Sequence, residues 1–307
     1  MRKGLRVLLL LTALALGVYA IARDTEGFLA AIAEVGVSRT GGALVLVTLG
    51  LLASAETWRS SIAAIAGKMD RRSAHRIFFV TQLGKYLPGA VWTVLGQVEA
   101  AKRHALSGSR MGIGALLFLV IHVVTGLVVA AVLLPWSSPH ALGAFGWSIP
   151  LAPLLACLLV PRVLTRIVSV VLRLLHRPGL PGPLSWRDVA VPLAWMLLTW
   201  SLYGLALAAV AQPLAGDAPI QLIAVVGIGI FALGWVVGVL VIPAPAGLGA
   251  REVTLFIGLG PLVGATGATS IAIILRVIHT LADLLLAAGA ARPRRRSRSD
   301  GRTSDVD

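Results

Sequence analysis

The feature that most constrains this chain is the recurrence of apolar runs long enough to cross a lipid bilayer. Such runs lie at about 41–62, 111–134, 189–211, 220–242 and 268–291. A hydrocarbon core about 30 Å thick needs about 20 residues of helix. In lipid these runs must be helical, because every backbone N–H and C=O needs a partner within its own segment. The short alternating strands of a membrane barrel are absent from the sequence. The fold class read from these runs is an all-α, polytopic membrane helix bundle. Composition agrees, with 57% apolar residues, 13% charged residues and a mean hydropathy of +0.89. A soluble domain carries about one quarter charged residues to cover its surface.

The formal charge of +14 invites a nucleic-acid reading, but its placement argues against one. Arg and Lys gather between apolar spans and at both ends, as expected for cytoplasmic loops of an inner- or plasma-membrane protein. Arg2, Lys3 and Arg6 precede an apolar run from Val7 to Ala22, read as a retained helix with a cleavable leader as its rival. Residues 23–41 are then expected outside. Lys68, Arg71, Arg72, His75, Arg76, Lys85, Lys102, Arg103 and Arg110 mark one cytoplasmic region, and Arg162, Arg166, Arg173, Arg177 and Arg187 a second. Residues 163–175 read as a basic amphipathic helix in the interface, after a fourth span ending near Val160. The lone Cys157 lies in an apolar run and excludes an internal disulfide.

Two apolar regions are interrupted. Gly84, Pro88 and Gly89 break residues 77–98, which suits a re-entrant hairpin better than a clean span. Pro243, Pro245, Gly247 and Gly249 break the start of 243–263, leaving 253–263 as a half-helix. With both termini cytoplasmic the number of crossings is even, about eight in all. The membrane domain is expected over 1–291. Residues 292–307 are polar and Arg-rich and read as a disordered cytoplasmic tail, there to anchor topology or to touch anionic lipid.

The broken segments GKYLPGAVW, 84–92, and PAPAGLGARE, 243–252, set Gly and Pro beside charge in apolar surroundings. Irregular backbone at membrane depth is tolerated only inside protein or along a wet cavity. One such segment in each half of a chain points to a transporter-type site; a pair of cytoplasmic turns is the alternative. The two are expected to approach each other. Candidate binding residues are Lys85, Tyr86, Pro88, Gly89 and Trp92 in the first, and Gly247, Gly249, Arg251 and Glu252 in the second. Arg251 can fork onto a phosphate as Lys cannot, and Glu252 suits a helix N-terminus. Snorkelling accounts equally for Lys85 and Tyr86. Arg276, His279 and Asp283, spaced by three and four, share one face of the last helix, with Asp283 expected to balance Arg276 or Arg251. Glu56 and Arg59 read as an interfacial pair, and His122 as a hydrogen-bonded packing residue. No HExxH, GxSxG or P-loop pattern occurs, so neither an enzyme nor a metal or organic cofactor is expected.

GKYLPGAVW, PAPAGLGARE and LRVIHTLADLLLA (275–287) together resemble the signatures of the lysylphosphatidylglycerol synthase transmembrane, or flippase-like, family. They fall in the family's order and spacing over most of the chain. Ala246 stands where the family has Gly, and Ser109-Arg110 where a Glu-Arg pair is usual. The resemblance implies binding and movement of an anionic phospholipid or a polyprenyl-phosphate-linked sugar between leaflets. The alternative is a non-transporting membrane partner of a glycosyltransferase or lipid-modifying enzyme. Synthases of the family carry a soluble aminoacyl-transfer domain after the membrane part. That domain is not expected here, nor is lysyl transfer.

Overall fold

The computed structural model describes residues 25–86, 91–102, 106–137, 148–174, 176, 179–180, 182–241, 247 and 249–291. Every regular element among them is helical. In chain order these are α1 (Thr25–Ala66), α2 (Arg71–Gln82), α3 (Val91–Lys102), α4 (Gly108–Leu133), α5 (Leu151–Cys157), α6 (Pro161–Leu174), α7 (Trp186–Ala211), α8 (Ile220–Leu240) and α9 (Ala250–Ala291). Five of them, α1, α4, α7, α8 and α9, are long and apolar enough to cross a membrane. The pair α5 and α6, bent by 68°, makes a sixth candidate span. The chain is therefore a multi-pass membrane protein. The Val7–Ala22 run and the 292–307 tail lie outside the described residues.

α9 is not one straight rod. Gly264 has φ 71° and ψ 172°, a conformation open essentially to glycine alone. Arg276 is ion-paired with Glu252, 24 residues earlier. On a straight helix those residues would stand about 36 Å apart at 1.5 Å per residue. The chain therefore reverses at Gly264, midway between them, and α9 is a hairpin of a short arm (250–263) and a long arm (265–291). The short arm is the half-helix expected at 253–263. At about 21 Å it falls short of a 30 Å hydrocarbon core. The expected count of about eight included this arm and Val7–Ala22, whereas the described residues give up to six candidate spans.

Gly36 in α1 repeats this backbone conformation, with φ 73° and ψ 164°. The expected external stretch 23–41 is therefore helical from Thr25, with a break at Gly36. FLAAIAEV, 28–35, contains no Pro or Gly and is rich in good helix formers, so nothing in it stops a helix.

The hairpin expected over 77–98 is seen in its two described arms, α2 and α3. Asp70 caps α2 by accepting from the Ser73 backbone N–H at 2.9 Å. A 3₁₀ turn, Leu83–Tyr86, follows. A Cβ on Gly84 would meet the Thr93 nitrogen at 2.9 Å, and one on Gly96 the Thr81 methyl at 3.0 Å. α2 and α3 thus run antiparallel with glycines at their contact. The expected fourth span is not clean: the chain turns at 158–160 and restarts at Pro161, a residue suited to a first helical turn. α6 is amphipathic as expected. It buries Pro161, Leu164, Val168 and Leu172 and leaves Arg162, Arg166 and Arg173 exposed.

Small residues let the spans close on one another, the usual device where lipid offers no hydrophobic drive. A Cβ on Gly204 of α7 would sit 2.2 Å from the Ile228 Cα of α8. One on Gly50 of α1 would strike the Tyr203 ring at 2.5 Å, and one on Gly114 of α4 would meet Ile62 at 2.6 Å. Trp58, Trp200, Phe78 and Phe231 fill the core between these contacts.

Candidate functional site

The long arm of α9 carries Arg276, His279, Thr280 and Asp283 on one face, through the spacing read in the sequence. The broken segments reach that face from two directions. Lys85 Nζ pairs with Asp283 Oδ2 at 2.6 Å. The Tyr86 hydroxyl donates to the same oxygen at 2.7 Å and lies 3.4 Å from Thr280 Oγ1. Seven residues earlier, Arg276 holds Glu252 of the short arm. The described ends of the two segments, Lys85 and Tyr86 in one and Glu252 in the other, thus reach one helix face about 10 Å apart along its axis.

The pairing differs from the expected one. Asp283 was expected to balance Arg276 or Arg251; its partner is Lys85, and Arg276 belongs to Glu252. The reversal at Gly264 brings Glu252 against Arg276, while Asp283 stands seven residues farther along the same arm, where Lys85 reaches it. Arg251 instead lays its guanidinium over the Phe231 ring, 4.4 Å from the centroid, a cation–π arrangement. Among the described residues no carboxylate lies within ion-pair distance of Arg251.

The Gly249 backbone N–H donates to Glu252 Oε2 at 2.7 Å. Gly249 is the residue before α9, so this closes half a capping box, in line with the role expected of Glu252. It also means that the Gly249 N–H already has an acceptor. Gly247 and Gly249 have φ 68° and 88°, which explains glycine at both. The close approach Gly247 permits is to helix α8: a Cβ there would lie 2.8 Å from the Gly238 Cα. These glycines therefore serve helix packing and capping before any ligand. Trp92 is 47% exposed at the start of α3. Pro88 and Gly89 lie outside the described residues.

His279 donates its Nδ1–H to the Leu275 carbonyl at 2.9 Å. Its ring packs between Phe231 and Tyr203, with centroids 5.2 and 5.0 Å away. His279 Nε2 and Asp283 Oδ1 are buried without a hydrogen-bond partner among the described residues. The cluster therefore retains unused polar capacity next to three cations and two carboxylates.

Residues 5–287 match the family described as the lysylphosphatidylglycerol synthase TM region. The chain belongs to that family. No curated protein matches it. Within this member of the lysylphosphatidylglycerol synthase TM family, the segments that carried the resemblance are the ones that converge on α9. Its membrane part is thus assigned to the synthase and flippase-like kind, which agrees with the apolar helices.

Some residues of this neighbourhood escaped the sequence. Phe231, Tyr203 and Thr280 contact the cluster but carry no sequence pattern of their own. Glu56 does pair with Arg59, at 2.8 Å, as its spacing suggested. It also takes Arg71 at 2.5 Å and His75 at 2.7 Å, and is itself buried. His122 is packed, not hydrogen-bonded as expected: its ring stacks on Trp235 with centroids 3.4 Å apart, and neither nitrogen has a partner among the described residues.

Proposed function

We propose that this protein binds an anionic phospholipid or a polyprenyl-phosphate-linked sugar at the α9 cluster and moves it between leaflets, without chemistry on the lipid. The observation that carries this reading is the charge balance. Lys85, Arg251 and Arg276 face Glu252 and Asp283; the two carboxylates are held by Lys85 and Arg276, and Arg251 is left over. A cation at membrane depth is expensive unless it meets an anion or water. A lipid phosphate supplies that anion, and a guanidinium grips it with two parallel hydrogen bonds. Membership of a family defined by lipid-handling membrane proteins supports the same reading.

The test is a leaflet-exchange assay in proteoliposomes carrying labelled phosphatidylglycerol or a labelled polyprenyl-phosphate sugar. Wild type is expected to exchange one of them faster than empty vesicles. Arg251→Lys keeps the charge but removes the fork, and is expected to slow exchange about tenfold, while Arg162→Lys on exposed α6 is silent. Exchange equal to empty vesicles for both lipids would instead favour a partner of a lipid-modifying enzyme or glycosyltransferase. Full activity in Arg251→Lys would remove bidentate recognition from the account.

A further inference from the structure

A second lipid-shaped feature lies apart from the α9 cluster's charged contacts. A groove of about 470 Å³ opens between α1, the first turns of α2 and the end of the long arm of α9. Its polar rim is Arg71, Arg72 and His75; its floor includes Phe79, Leu285 and Gly289. Phe79 is buried and Leu285 is 56% exposed, so the floor runs from protein interior to lipid-facing surface. At Gly289 a Cβ would meet nothing within 4 Å, which marks open space against the helix.

The rim is short of negative charge. Residues 56–76 hold five cations, Arg59, Lys68, Arg71, Arg72 and Arg76, against two carboxylates, Glu56 and Asp70. Glu56 is saturated by Arg59, Arg71 and His75. Arg72 is exposed and has no carboxylate within ion-pair distance among the described residues. A cationic rim above an apolar floor complements an amphiphile with a negative head, and a soluble anion has no use for the floor.

We propose that this groove is a binding site for a diacyl phospholipid with an anionic headgroup, its phosphate on Arg72 and Arg71 and one acyl chain along Leu285 and Gly289. Glu56 positions the rim by fixing Arg71 and His75, leaving Arg72 as the principal hydrogen-bond donor to the phosphate. The site holds whether or not the protein moves lipid, since none of its residues belongs to the Arg251–Asp283 cluster.

The experiment is a native mass spectrometry titration of the purified full-length protein in detergent. The probes are dioleoyl phosphatidylglycerol, dioleoyl phosphatidylcholine and inorganic phosphate. Phosphatidylglycerol is expected to bind about tenfold more tightly than phosphatidylcholine, because both carry the phosphate but the choline cation of the latter meets the cationic rim. Arg72→Gln is expected to reduce that preference severalfold, weakening phosphatidylglycerol more than phosphatidylcholine. Gly289→Leu, which fills the open space, is expected to weaken both lipids. Arg162→Gln, at an exposed basic residue outside both the groove and the α9 cluster, should leave the preference intact. Three outcomes overturn the proposal: a preference unchanged in Arg72→Gln, loss that is equal in Arg162→Gln, or displacement of phosphatidylglycerol by millimolar inorganic phosphate. Arg72 is exposed and Gly289 uncrowded, so both variants should fold, and a thermal melt matching wild type confirms it.

Discussion

Asp283 is the residue whose environment says most about this protein. One of its oxygens serves Lys85 and Tyr86, and the other is buried without a partner. Removing one member of a buried ion pair strands the other, at a cost of about 3–5 kcal/mol for a fully buried pair. The Lys85 side chain is 31% exposed, so water shares its charge and a smaller coupling is expected. A double-mutant cycle of Lys85→Gln and Asp283→Asn, read by equilibrium unfolding in mixed micelles, should give a coupling on the order of 1–2 kcal/mol. Additive single mutants would show that the pair is ornamental. The shared face of Arg276 and Asp283 was legible in the sequence, because helical spacing is local. So was the link between Glu252 and the N-terminus of α9, three residues from Gly249. Which cation each carboxylate takes was not, since Lys85 meets Asp283 across 198 positions of chain and only tertiary packing makes that choice. The same holds for Glu56, whose contact with Arg59 is local and whose contacts with Arg71 and His75 depend on how α1 and α2 fold together.

At the scale of the element, glycine acts in two physically different ways. Gly264 and Gly36 have open space around a would-be Cβ, yet their positive φ with extended ψ bars other residues. Gly264→Ala should cost about 1–3 kcal/mol of stability from backbone strain alone. Gly41→Ala, in a helical stretch of α1 with equal space, should be neutral or gain about 0.5–1 kcal/mol. Equal melting temperatures for the two variants would contradict the reversal at Gly264. Gly204 is the opposite case: its backbone is ordinary, but a methyl there collides with Ile228. Gly204→Ala should force α7 and α8 apart and cost about 1–3 kcal/mol, read by the same unfolding measurement. The apolar spans were legible because composition alone marks them. The continuation of α1 back to Thr25 and the break between α5 and α6 were not, since the first lacks a stop signal and the second depends on where a turn of three residues is tolerated.

At the scale of the whole molecule, charge asymmetry sets the expected orientation. Lys68 and Gly182 lie in basic regions, whereas Ser38 and Asp217 lie near the opposite ends of spans. In a Cys157→Ser background, single cysteines at Ser38 and Asp217 should react with an impermeant maleimide added to intact cells. Cysteines at Lys68 and Gly182 should react only after permeabilisation. Labelling of the second pair from outside would invert the topology. The site as a whole was half legible: two interrupted segments announced themselves by Gly and Pro beside charge, and the half-helix expected at 253–263 is the arm that folds back, but the Glu252–Arg276 pair made by that reversal was not read from the sequence.

That reversal has a consequence for how this sequence can change length. Glu252 and Arg276 face each other with equal numbers of residues on either side of Gly264, so the hairpin is in phase with itself. Adding one residue between 265 and 275 would turn everything beyond it by about 100° around the arm. Arg276, His279 and Asp283 would swing away from their partners together, although none of them had been altered. Single-residue insertions and deletions in this stretch should therefore be purged far more stringently than most substitutions there, and a compensating change on the 250–263 side would repair only the first of the three contacts.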